Sequence, residues 1–187
     1  MDELKLAGLC GSLRADSVNR KLMMEAARHF GPSRFEAGDL RLPLYDGDLQ
    51  SREGVPAPVR ALADLVAGAD AVVVVTPEYN QSISGVLKNA LDWISRTEGS
   101  PWKMKPVALL SATAGRAGGA RANYALRLCM APFRPLVVPG PEVLVAGAAK
   151  EFDEAGRLTD PRYVGALEEH MALLRETALA RRRMAET

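Results

Sequence analysis

Two hydrophobic periodicities alternate along the chain. Residues 4–9 form a short apolar run that stops at Gly11 and predicts a buried strand. From Ser17 a helical stripe follows at Val18, Leu22, Ala26 and Phe30, ended by Gly31-Pro32. A weaker strand is expected over residues 35–40. The next stripe, Val59, Leu62, Ala63 and Val66, is entered through Pro56 and Pro58 and closed by Gly68. In Ala71-Val72-Val73-Val74-Val75, small or β-branched residues run without polar alternation. Such a run is buried on both faces, as in a central parallel strand. A helix with Leu87, Ala90, Leu91 and Ile94 on one face follows, then a buried strand over 107–110 and a helix carrying Leu126 and Met130. A fifth apolar segment spans 136–145, broken by Pro139-Gly140-Pro141. The last helix carries Val164, Leu167, Met171 and Leu174, with 175–187 as its end or a tail.

Strand and helix alternating about five times predict a parallel sheet covered on both faces, because parallel crossovers are right-handed and helical. A chain of 187 residues suits one domain, 1–187. A six-strand dinucleotide-binding sheet needs more chain, so the expectation is a flavodoxin-like α/β/α sandwich with a five-stranded parallel sheet, order 2-1-3-4-5. The polar, glycine-containing stretch 146–159 is expected to be a surface loop. Ligands of such sheets sit beyond the carboxyl ends of the strands. The segments after strands one, three and four are therefore the candidates for function.

Charge narrows the field. With 24 basic and 23 acidic residues the net charge is +1, giving no global field for nucleic acid or anionic membrane. The run Arg181-Arg182-Arg183 is expected to be a solvated helix end, where cations suit the dipole. The two cysteines, Cys10 and Cys129, form no CxxC pair, and His29 and His170 are far apart, so no metal site is expected. Cys10 reads as a small apolar residue facing the sheet. The Met-Asp-Glu start lacks a secretory pattern and no apolar run reaches the ~18 residues of a membrane span, so a reduced, cytoplasmic protein is expected.

After the first strand the chain reads Gly11-Ser12-Leu13-Arg14-Ala15-Asp16-Ser17-Val18-Asn19. Hydroxyls, an amide and a guanidinium stand at a helix entrance, where free backbone N–H groups favour an anion. The same residues also suit a simple helix cap at Ser17. Neither GxxxxGK[ST] nor GxGxxG is present. After the valine strand comes Thr76-Pro77-Glu78-Tyr79-Asn80-Gln81-Ser82-Ile83-Ser84-Gly85. It offers backbone donors and an aromatic surface to a flat heteroaromatic ligand, or forms a decorated turn with Tyr79 packed. In the helix beyond, Trp93 reads equally as a subunit contact or a buried side chain. The third segment, 111–121, is rich in small residues and carries the Thr113 hydroxyl. Its Arg116 and Arg121 either meet the phosphates of NAD(P)H or face solvent.

Gly-Ser-Leu-Arg with Ser17-x-Asn19 after the first strand, and Pro-Glu-Tyr-Asn with Leu-Lys-Asn-Ala-x-Asp-Trp after the third, resemble the NAD(P)H-dependent FMN reductase family. Within it, the likeness is greatest to bacterial chromate and quinone reductases. It extends to Pro43-Leu44-Tyr45-Asp46 and Gly118-Gly119-Ala120-Arg121. The resemblance implies non-covalent FMN, its phosphate held by Ser12, Arg14, Ser17 and Asn19. Pro77, Glu78, Tyr79, Asn80 and Gln81 would line the ring, and Thr113 stands where similar proteins place a flavin-touching serine. Where the family usually has proline before the glycine of the second motif, this chain has Ser84. The resemblance also implies a homodimer or homotetramer. NAD(P)H would serve as co-substrate in a ping-pong hydride transfer to quinones, chromate, azo compounds or similar acceptors. No side-chain acid or base is required, and no triad or carboxylate pair is visible, so no catalytic residue is assigned. Two rivals remain at this point. One is a flavodoxin-type electron carrier, usually strongly acidic; the other is a phosphate-ligand module without redox chemistry.

Overall fold

The computed structural model describes residues 3–185. The Met1-Asp2 start, on which the N-terminal reading rests, and the last two residues of the expected 1–187 domain lie outside the described residues. In chain order the elements are β1 (Leu4–Cys10), α1 (Val18–Phe30), β2 (Ser33–Gly38), α2 (Gly47–Glu53), α3 (Ala57–Gly68), β3 (Ala71–Thr76), α4 (Gly85–Ile94), β4 (Pro106–Ala112), α5 (Ala120–Met130), the short strands β5 (Leu136–Val137) and β6 (Leu144–Val145), and α6 (Pro161–Ala185). The sheet is parallel, in the flavodoxin-like order β2-β1-β3-β4-β5, with β6 also on β4.

The sheet has one core on each face, and β3 shows why its sequence lacks polar alternation. Val73 and Val75 pack with Leu22 and Phe30 of α1 and Met171 and Leu174 of α6. Val72 and Val74 pack with Val66 of α3, Leu87 and Ile94 of α4, and Leu126 of α5. Each such side chain contributes roughly 1.5–3 kcal/mol on burial. None of the described helices is long and apolar enough to cross a membrane.

Several expectations are corrected. The second strand runs over Ser33–Gly38, two residues earlier than 35–40. The fifth strand is split: β5 pairs with the start of β4 and β6 with its end. Pro139 and Pro141, between them, have no N–H to give to a ladder. Helix α2 has no buried residue, so it left no apolar stripe; its signal was the Asp46 cap, which accepts from the N–H groups of Asp48 and Leu49. Trp93 is fully buried and donates to the Pro43 carbonyl at 2.7 Å, which removes it as a subunit contact. Helix α6 continues through Ala185. Its Arg182 is not a free solvated cation: the guanidinium meets both carboxylate oxygens of Asp70, at 3.2 and 2.6 Å.

The stretch 146–159 is also more than a surface loop. Ala148 and Leu158 are buried in the core, and the loop is tied to α1 through Glu25. The Glu25 side chain, 3% exposed, accepts two bonds from Arg28, one from Arg157 and one from the Leu158 N–H. Burial alone pushes its carboxyl up; the hydrogen bonds from Arg28, Arg157 and Leu158 outweigh this and bring it down to about 2. Because the folded value lies below the unfolded one, the stabilisation is complete above about pH 4.5 and is lost as the pH falls towards 2. Urea-unfolding midpoints measured across that window are expected to drop, by the equivalent of roughly 3 kcal/mol. Glu25→Gln is expected to flatten this part of the profile, and an unchanged slope in the variant would refute the assignment.

Candidate functional site

The carboxyl ends of β1, β3 and β4 meet at one edge, and the nesting of their loops depends on Gly11. Its N–H donates to the Val75 carbonyl at 2.8 Å. A Cβ there would stand 2.8 Å from Ser84 Oγ and 3.2 Å from Pro77 Cδ, so a side chain would push the first and second loops apart.

The first loop enters α1 through Ser17, whose Oγ accepts from the Arg20 N–H at 3.4 Å. The cap reading and the anion reading are compatible, because a hydroxyl that accepts at the cap also carries a hydrogen to donate. The N–H groups that open α1 have no intrahelical partner. Arg14 is exposed, and among the described residues its guanidinium makes no hydrogen bond. Lys21, one turn into the helix, holds Asp16 at 2.8 Å. The hydrogen bond from Lys21 keeps the Asp16 carboxyl below the usual range. Asn19 has a structural part as well. Its amide is buried, donating to the Ala112 carbonyl at 2.9 Å and accepting from the Ala112 N–H at 3.0 Å. It braces α1 against the end of β4, and its own backbone N–H is among those that open the helix.

In the second loop, Tyr79 and Ser82 exchange two backbone bonds of 3.0 Å across Asn80 and Gln81, whose φ angles are +50° and +66°. That is the geometry of a type I′ turn. It leaves Tyr79 52% exposed, so the reading of Tyr79 as a packed turn residue is set aside. Ser84, in the place of the family's proline, caps α4 by accepting from the Leu87 N–H at 3.3 Å. Glu78 lines the cleft while its carboxylate accepts from the Ala122 N–H at 3.1 Å, at the start of α5. There it supplies the anion that a helix N-terminus favours. The third loop is tied down by Thr113, whose N–H donates to the Val145 carbonyl and whose carbonyl accepts from Ala148, both at 2.9 Å. Its hydroxyl makes no hydrogen bond among the described residues.

These loops enclose a cleft of about 420 Å³, within the range of small-molecule sites. Ser12, Arg14, Ser17 and Asn19 line it from the first loop, Pro77, Glu78 and Tyr79 from the second, and Thr113 from the third. Asn80 and Gln81 stand at the exposed turn tip, outside its lining, and Arg116 and Arg121 face solvent. Sequence reasoning missed Lys21, and it missed Ala148 and Ala149, which form a fourth wall after β6. The carboxyl-end rule, applied to the broken fifth strand, would have found Gly147-Ala148-Ala149.

The donor set fits FMN. Two hydroxyls, free helix N–H groups and the cations of Arg14 and Lys21 suit a phosphate dianion. Exposed Tyr79, the Thr113 hydroxyl and small Ala112, Ala114 and Ala148 suit a flat ring approached closely by backbone.

Known proteins point the same way. The family described as NADPH-dependent FMN reductase matches residues 4–150. An NAD(P)H-dependent FMN reductase of Pseudomonas aeruginosa is 40% identical over 163 residues, 86% of this chain and 88% of that protein. A quinone reductase of Escherichia coli is 41% identical over 164 residues, 85% and 87% of the two chains. Among solved structures, the flavoenzyme NAD(P)H:(acceptor) oxidoreductase FerB of Paracoccus denitrificans superposes with a TM-score of 0.85. It shares 30% identity, covering 95% of this chain and 98% of that one.

Proposed function

Since this chain belongs to the NADPH-dependent FMN reductase family, we propose that it reduces quinones, chromate or similar small acceptors with NAD(P)H in ping-pong order. The enzyme is an FMN-dependent oxidoreductase, and NAD(P)H is its electron donor. The observation that carries the proposal is the cleft itself, which joins a cationic, hydroxyl-rich end to an exposed aromatic platform at one sheet edge.

When bound, FMN supplies the redox chemistry, taking two electrons from the nicotinamide and passing them to the acceptor. The chain's own residues bind and orient. Arg14, Lys21, Ser12 and Ser17 anchor the phosphate, and Thr113 offers a hydroxyl to the ring. Tyr79 stands beside the open side through which donor and acceptor enter in turn. No side chain is assigned as acid or base. The cleft leaves room for more than one kind of small acceptor, and the quinone reductase relatives make quinones the first class to test. We place the protein in the cytoplasm as one domain that assembles as a homodimer or homotetramer. Leu44 and Leu128, 81% and 77% exposed, are apolar surface for such contacts.

The test is steady-state oxidation of NADH and NADPH by the FMN-loaded protein with a quinone and with chromate. Turnover with parallel double-reciprocal lines is expected. Bound FMN without turnover would replace the reading with an electron carrier, and protein that takes up no FMN would replace it with a phosphate-ligand module.

A further inference from the structure

Ser17, the N-cap of helix α1, and Lys21 and Glu25 within the helix stand four residues apart, so they fall along one face. The stretch 147–159 runs along that face like a strap. At its start, Gly147 and Ala148 donate to the carbonyls of Gly115 and Thr113, and Ala148 and Ala149 line the cleft near Ser17. Further on, Gly156 passes over the Lys21 methylenes, close enough that a Cβ there would stand 3.7 Å from Lys21 Cγ. At the far end, Arg157 Nη1 and the Leu158 N–H reach Glu25 at 3.0 and 3.3 Å. Between these points the strap holds its own shape through Asp153 N–H to Arg157 O, Gly156 N–H to Asp153 O, and Thr159 N–H to Glu151 O.

A buried carboxylate is a poor way to add stability, because a well-packed apolar side chain often does as well. Its value lies in direction. Glu25 has more than one partner on the strap, and each needs an acceptor at a defined place. Leu158 sets the depth at which the strap enters the core, where it is 6% exposed. Arg157 is half exposed, with a side-chain exposure of 51%, so that bond can open to water without unfolding the core.

We propose that Glu25 is a positioning residue for the cofactor: through Arg157 and Leu158 it pins the strap along α1, and the pinned strap holds Ala148 and Ala149 as the wall that retains FMN. The proposal rests on the reading of the cleft as the FMN site. Glu25 touches no cofactor or substrate; it acts through the strap.

The test compares FMN release from the loaded wild type, Glu25→Gln and Arg157→Leu, followed by the recovery of flavin fluorescence on dilution well below the unfolding temperature. Amide exchange across 147–158 is read in the same samples. Release at least tenfold faster in each variant is expected, with faster exchange in the strap and unchanged exchange in β1 and β3. The double variant should release FMN no faster than Glu25→Gln, since the two changes cut one link. Should Glu25→Gln fail to fold, Arg157→Leu, altered at the half-exposed partner, decides the matter alone. Unchanged FMN release despite faster strap exchange or lowered thermal stability would show a purely structural role and overturn the proposal. Wild-type protein that takes up no FMN would instead overturn the site reading beneath it, a result the variants cannot mimic.

Discussion

Replacing Arg14 and Ser17 together with alanine is expected to raise the dissociation constant for FMN by two to three orders of magnitude in a folded protein. The Arg14 guanidinium makes no hydrogen bond among the described residues, so its removal leaves no buried group unpaired. It takes away a charge-assisted contact worth about 1.5–3 kcal/mol. Ser17 caps α1 and, on the proposed reading, gives the phosphate a second hydrogen bond. Its loss therefore costs about 1 kcal/mol of stability besides affinity. At roughly 1.4 kcal/mol for each factor of ten, the two losses give the stated range. Riboflavin, which lacks the phosphate, supplies the control: its weaker binding should hardly differ between wild type and the double variant. Fluorescence titration with both flavins checks this. Equal FMN affinity in a folded double variant would refute the assignment of the first loop as the phosphate cradle. Asn80→Ala, at the turn tip outside the cleft lining, should change FMN affinity little.

Gly118→Ala is expected to be the most damaging single methyl in the molecule. Gly118 has φ +59°, and a Cβ there would stand 2.3 Å from the Leu144 carbonyl oxygen and 2.4 Å from its carbon. Backbone of β6 cannot swing aside as the end of a flexible side chain could. Gly118 cannot retreat either, because the Ser111 hydroxyl donates to its carbonyl at 2.6 Å. The left-handed conformation costs about 1–2 kcal/mol for alanine, and the overpacking a further 1–3 kcal/mol. A loss of about 3 kcal/mol lowers the melting temperature by roughly 6–12 °C in a domain of this size. The damage should spread to the site, since β6 leads into Ala148 and Thr113 donates to the Val145 carbonyl. Calorimetry checks the first part and FMN titration the second. Gly115→Ala, whose Cβ would meet nothing nearer than Thr113 Oγ1 at 3.7 Å, is the matched control and should be nearly silent. Comparable melting temperatures for the two variants would refute the steric argument.

Amphipathic stripes and all-apolar runs are local, and so they were readable. The five valine-rich positions of β3, the α1 stripe ending at Phe30 and the stripe of α4 fall where periodicity put them. Helix α2 escaped because it buries nothing, and the split of the fifth strand escaped because the ladder resumes on the same partner beyond the prolines. The site follows the same rule. The proposal of a phosphate cradle at Ser17 and Arg14 was legible through the chemistry of a helix entrance, which needs only neighbouring residues.

What the sequence determined by itself was therefore the layering of the sheet and the character of each loop at its carboxyl edge. The tertiary structure alone decided where polar side chains spend their hydrogen bonds. Asn19 is committed to Ala112, 93 residues on, Glu78 to the N-terminus of α5, 44 residues on, and Glu25 to Arg157, 132 residues on. Such pairings depend on how finished elements dock. A polar residue can be satisfied by many partners, and no local pattern says which of them folding will bring within 3 Å.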